Sequence, residues 1–210
     1  MTPTIPHPTC AAAAASLAAL LLLAGGAAAA PVNAEGTIIP LPPGVTAPAF
    51  SLPDFAGKPM TLAEATSGAK LVIVDFWSTK CPVSRAYEGR LKAIAEEYAP
   101  KGVKVIAVMS NQTESASDVK AYLAETPLPY PVLIDAGSKI ADLYGGQTTP
   151  HVFVVDPSGK IRYTGGIDDG AKSPETPKPL LREALDALLT GREPESTLTR
   201  NFGCSIKRRA

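Results

Sequence analysis

At 210 residues the chain is long enough for one well-filled domain with tails and short for two. Hydrophobic residues make up 45% of it and charged residues 19%, which suits a folded α/β domain and excludes a disordered or fibrous chain. Twenty basic side chains offset twenty acidic ones, so no long-range field gathers nucleic acid or an anionic membrane, and no nucleic-acid partner is expected.

Residues 1–30 read as a signal peptide: an uncharged Ala/Leu-rich run from Cys10 to Ala30 ends in small residues before Pro31. The segment ahead of the run has no Lys or Arg, and the run approaches the roughly 20 residues that cross a bilayer. An uncleaved anchor is therefore the alternative, and a membrane is a partner only in that case. The expected location is the periplasm or the exterior, or a membrane anchor facing the periplasm. Cleavage would remove Cys10 and leave Cys81 and Cys204. With His151 as the one remaining histidine, these are too few for an obvious metal site, and His151 reads as a strand or loop residue.

Residues 31–45 have several prolines and no sustained period, and read as a linker or extended arm. In the stretch AFSLPDFAGKPMTL, polar and apolar groups alternate around Asp54 and Gly57, which predicts a short hairpin. Lys70 to Trp77 is a central buried strand, apolar on both faces apart from Asp75. Residues 83–98 carry Val83, Tyr87, Leu91, Ile94, Ala95 and Tyr98 at helical spacing, with Pro82 suited to the first turn. Gly102 ends this element, and VKVIAVM is the next buried strand, parallel to the first through a βαβ crossover. A surface helix follows over Ser115 to Leu123, then a strand at Val132 to Ile134 and a helical turn at Ile140 to Tyr144. HVFVVD and IRYTG, joined by a turn at Pro157 to Lys160, form an antiparallel pair at the sheet edge. Leu180 to Leu189 is the closing amphipathic helix. The tail, 191–210, contains Cys204 and no predicted element, and Lys207, Arg208 and Arg209 read as a solvated end.

Cys81 follows a buried strand and opens a helix, where free N–H groups and the positive end of the dipole favour a thiolate. Such a thiolate attacks disulfides or peroxides. Lys80 adds positive charge if its side chain turns inward. Asp75 is a carboxylate in an apolar strand, and its burial needs a reason; beneath Cys81 it can exchange a proton with a thiol or a leaving sulfur. Trp77 is expected to pack beside the active-site loop and shield it. Thr149 and Pro150 precede a strand. A cis bond there would bring backbone groups near Cys81, where an extended peptide can pair with them.

Asp75-Phe76-Trp77 with Cys81 six residues after the acid, and Thr149-Pro150 before a strand, resemble the thioredoxin superfamily. The opening APAFSLPDFAGKPMTL resembles its redoxin or AhpC/TSA branch. The resemblance covers roughly residues 46–190. It implies an α/β, thioredoxin-like fold with a central mixed sheet flanked by helices and an N-terminal hairpin extension. It also implies Cys81 as the nucleophile, Asp75 as the buried acid, Trp77 as the aromatic before the loop, and Pro150 as a cis proline facing the thiol, with Thr149 and Trp77 on the substrate side. Ser84 stands where a dithiol enzyme has its second cysteine, so no disulfide closes within the motif. The chain resembles the peroxiredoxin-like subgroup that keeps only the first cysteine. The peroxidase pattern is incomplete: Val74 stands where it has proline, and Arg85 and Arg162 are candidates for its activating arginine by residue type alone.

The ending Gly203-Cys204-Ser205-Ile206-Lys207 resembles the tail of that subgroup, and Cys204 there has three readings: a resolving thiol for Cys81, a structural disulfide, or neither. The implied function is a thiol-dependent oxidoreductase acting on protein disulfides or sulfenylated thiols. The alternatives are a hydroperoxide reductase and a non-catalytic peptide-binding protein. No redox-cofactor motif is visible, so electrons are expected to come from an external thiol reductant.

Overall fold

The structure, a computed structural model, describes residues 1, 29–170 and 177–208. The expected signal or anchor segment, with Cys10, falls almost wholly outside the described residues, as does Arg209. Among the described residues no helix is long and apolar enough to cross a membrane.

The predicted hairpin forms from β1 (Ser51–Pro53) and β2 (Pro59–Thr61). Asp54 closes its turn by accepting the N–H groups of Ala56 and Lys58. A reciprocal capping box between Thr61 and Glu64 then starts α1 (Leu62–Thr66). After β3 (Leu71–Trp77) come α2 (Pro82–Tyr98), β4 (Val103–Met109), α3 (Ala116–Glu125), β5 (Val132–Ile134), α4 (Lys139–Tyr144) and β6 (Thr148–Thr149). The chain continues through β7 (Val152–Val155), β8 (Ile161–Gly165), α5 (Leu180–Leu189) and β9 (Cys204–Ser205).

Five strands form the central sheet in the order β5-β4-β3-β7-β8. β3, β4 and β5 run parallel, while β7 is antiparallel to both β3 and β8, so the sheet is mixed as expected. β3 lies in the middle and is buried along its length, which explains its lack of polar alternation. Its side chains divide between two apolar layers. Leu71, Ile73 and Trp77 join Leu91 and Ile94 of α2 and Leu181 and Leu185 of α5. Val72, Val74 and Phe76 join Leu62 of α1, Tyr144 of α4 and Phe153 of β7. Asp75 shares the parity of Ile73 and Trp77, so the strand's period of two places it on the α2 side.

Two segments carry more structure than the sequence specified. Of the two alternatives for residues 31–45, linker or extended arm, the chain forms the arm, which lies along the domain. Leu41 N–H donates to Tyr144 O at 3.0 Å and Gly44 N–H to Ile161 O at 2.7 Å, while Leu41 and Val45 pack against the second apolar layer. A Cβ at Gly145 would fall 1.8 Å from Ile39 O, so only glycine admits the arm there. The tail also has structure: β9 pairs antiparallel with β6, and Ile206 is buried in the second layer. Arg208 is not solvated. Its guanidinium bonds Asp142 and Gly146 O, at 2.5 and 2.7 Å.

Candidate active site

Cys81 is the N-cap of α2, with Pro82 at the first helical position, where its missing N–H is not needed. The Ser84 N–H, one of the unpaired donors of the first turn, points at Cys81 Sγ from 3.3 Å. On its other side the thiol donates to Thr149 O at 3.0 Å. The Thr149–Pro150 peptide bond is cis, as the resemblance implied, and that turn carries the Thr149 carbonyl toward the sulfur.

β6 and β9 pair Thr149 with Cys204. The tail thus brings a second sulfur to the same helix end, beside the Val83 N–H. Both cysteines are free thiols. Burial raises the pKa of Cys81, but the neighbouring Cys204 thiol, with Thr149 and the Ser84 N–H beside the sulfur, outweighs it and holds the thiol below its ordinary value. Cys204 moves the opposite way, because its proton is engaged by Cys81 and it is partly buried. Of the two thiols, Cys81 is therefore the more readily ionised.

The loop between β3 and α2 is fastened from below. Glu114, which is buried, accepts from the Ser78 hydroxyl, from Thr79 N–H and Oγ1 at 2.9 and 2.6 Å, and from Asn111 Nδ2 at 2.8 Å. Ser78 Oγ in turn accepts the N–H of Cys81 at 3.2 Å. Lys80 does not turn toward the thiol: its ammonium donates to Thr113 O at 2.5 Å. Glu114→Ala leaves these donors without an acceptor and is expected to cost about 2–4 kcal/mol. An unchanged urea midpoint would show that the loop is held by other contacts.

Asp75 is fully buried and opposite Val152 in the β3–β7 register. Burial pushes its pKa up to about 7, opposed by a backbone hydrogen bond from His151 and reinforced by the charge of Glu88. Its Oδ1 has no hydrogen-bond partner, and neither does Tyr130 Oη. Both face a narrow crevice under α2 that is also lined by Trp77, Ser84, Glu88 and Pro150. Trp77 stands in that wall, with its indole N–H donating to Glu88 Oε1 at 3.1 Å. Ser84, the residue in place of a second cysteine, accepts the Ser78 N–H at 3.2 Å and serves the loop.

His151 is buried with its pKa lowered to about 3, so it stays neutral. Among the described residues no cluster of His, Cys, Asp and Glu could hold a metal ion. The arginines expected by type are engaged elsewhere. Arg85 lies 5.5 Å over the Tyr122 ring, and Arg162 pairs with Asp156 and Glu193.

Sequence reasoning missed Glu114, Asn111, Glu88 and Tyr130. Asn111 and Glu114 carry one readable signal, since they follow a largely buried strand in a polar loop, where a strand's carboxyl end commonly faces a site.

A mixed sheet with this order, a thiol capping the helix after the central strand and a cis proline opposite it define a thioredoxin-like protein with a thiol site. A model of the AhpC/TSA family matches residues 43–164, and the chain belongs to that family. It is 33% identical over 118 residues to the thiol-disulfide oxidoreductase ResA of Bacillus anthracis, covering 56% of this chain and 66% of that protein. To the ResA of Halalkalibacterium halodurans it is 30% identical over 128 residues, covering 60% and 70%. The chain thus spans just under two thirds of the first of these relatives. A solved structure of a hypothetical protein from Sinorhizobium meliloti 1021 superposes with a TM-score of 0.74 at 31% identity, over 81% of this chain and 96% of that one.

Proposed function

We propose that this protein is an extracytoplasmic thiol-disulfide oxidoreductase in which Cys81 is the attacking sulfur and Cys204 the resolving one. The observation that carries this reading is the meeting of two free thiols at the first turn of α2, with the pKa of one lowered and that of the other raised. The names of the ResA relatives support the reaction class. The apolar run at 10–30 supports an exported or anchored chain, in a compartment where dithiols act as redox couples.

In the proposed cycle Cys81 S⁻ attacks one sulfur of a substrate disulfide, forming a mixed disulfide and expelling the other sulfur as a thiolate. Cys204 then loses its proton and attacks the Cys81 sulfur. A Cys81–Cys204 disulfide forms and the second substrate thiolate departs, so the substrate gains two electrons. An external thiol reductant returns the pair to the dithiol. With its pKa raised to about 7, Asp75 can give or take a proton at neutral pH in the crevice below and is suited to exchange it with a sulfur of the site. The stabilised Cys81 thiolate attacks and also serves as the leaving group when the pair is reduced.

The test is acid trapping followed by peptide mapping after exposure to a disulfide-bonded model peptide. The wild type should accumulate the Cys81–Cys204 disulfide, and Cys204→Ser a peptide adduct on Cys81. If neither species forms, the two-thiol reading is wrong.

A further inference from the structure

β6 is two residues long and, among the described residues, its one strand partner is β9. The tail meets it as an added strand would. Ile206 N–H donates to Gln147 O at 2.9 Å, Lys207 N–H to Asn111 Oδ1 at 2.7 Å, and Gln112 N–H to Lys207 O at 2.8 Å. The side chains are sorted as well. At Gly203 a Cβ would fall 2.1 Å from Thr149 O, so this place admits glycine alone without a shift. Cys204 is opposite Thr149 and in reach of the reacting thiol. Ile206 is buried in the layer of Val74, Phe76 and Phe153, and Arg208 is held by Asp142 and Gly146 O. Main-chain pairing with pockets for chosen side chains is how a protein edge binds an extended peptide. This mode does not depend on the occupant belonging to the same chain.

We infer that residues 203–208 are an internal occupant of a strand-binding surface. Once they leave, that surface takes an extended protein segment of the pattern glycine, cysteine, any residue, aliphatic, any residue, arginine. The inference rests on the reading of Cys81 as the reacting thiol and gives it a substrate class. The seated tail leaves Cys81 2% exposed, so it closes the thiol to protein segments as well as carrying the resolving sulfur. A tethered occupant has an effective concentration near the millimolar range, so an external segment competes poorly until the tail is loosened.

The probe is a fluorescent peptide with the sequence of residues 201–208 and Cys204→Ser, which prevents covalent capture. Its anisotropy is measured with the full chain carrying Cys81→Ser, alone and together with Gly203→Val, whose added side chain drives the tail from Thr149. Binding at least tenfold tighter to the Gly203→Val form, and absent for a scrambled peptide, is the expected result. Equal affinities, or equal binding of the scrambled peptide, would overturn the proposal. Arg208→Glu loosens the tail from its far end and gives the same comparison if Gly203→Val fails to fold. Hydrogen exchange on the Cys81→Ser chain provides an independent check, because unprotected Ile206 and Gln112 amides would show that the tail does not occupy the surface. With serine at 81 throughout, failure here leaves the trapping result for Cys81 and Cys204 intact.

Discussion

Asp75→Asn is expected to stabilise the protein at alkaline pH and to have little effect in acid. The folded-state pKa of Asp75, about 7, lies above its ordinary value of 3.8. Below the ordinary value both folded and unfolded chains are protonated there, and the buried acid carries no penalty. As pH rises, the unfolded chain releases its proton first while the folded chain keeps it, so stability falls until Asp75 ionises near pH 7 and is then level. Asparagine has no such proton. The advantage of Asp75→Asn over the wild type should therefore grow by about 3 kcal/mol between pH 4.5 and pH 8.5, at roughly 1.4 kcal/mol per pH unit across the interval that precedes the folded pKa. Urea denaturation at the two pH values measures it. Parallel behaviour of the two proteins would mean that Asp75 does not hold a proton in the folded state.

The second large effect belongs to Cys81. Its replacement by serine should lower the rate of exchange with a model disulfide by about a thousandfold or more, because a hydroxyl at neutral pH offers no comparable nucleophile. Cys204→Ala keeps the nucleophile and removes the thiol that donates to it, so the pH midpoint of Cys81 alkylation by iodoacetamide should move upward. The sign separates two roles for the tail. A midpoint that stays in place would mean that Cys204 shields Cys81 sterically and does not stabilise its charge.

The central strands and α2 were legible because their signals are repetitive: seven consecutive buried residues in β3 and apolar positions at helical spacing in α2. Cys81 was legible from its place at a strand-to-helix boundary, and Asp75 from the improbability of a carboxylate in such a strand. The pairing of β6 with β9 was not, since two residues carry no periodicity and the bond joins segments 55 positions apart, counting from Thr149 to Cys204. The docking of the arm at 31–45 escaped for a related reason. Its prolines signal an extended backbone, yet its docking depends on a glycine at position 145 that has no sequence relation to it. The direction of Lys80 stayed open in the sequence because proximity along the chain does not fix where a long side chain turns, and the Thr113 carbonyl takes it away from the sulfur.

Trp77 is the sole tryptophan of the chain, and it stands buried in the crevice beside Asp75 and Glu88. Its emission is therefore an unlabelled optical signal from the site itself, free of background from other indoles. Ionisation of Asp75 places a charge near the ring, and conversion of the two thiols to a disulfide replaces one set of quenching groups with another. Stopped-flow fluorescence can thus follow proton and electron transfer in the unmodified protein, separated by their different dependence on pH and on added reductant.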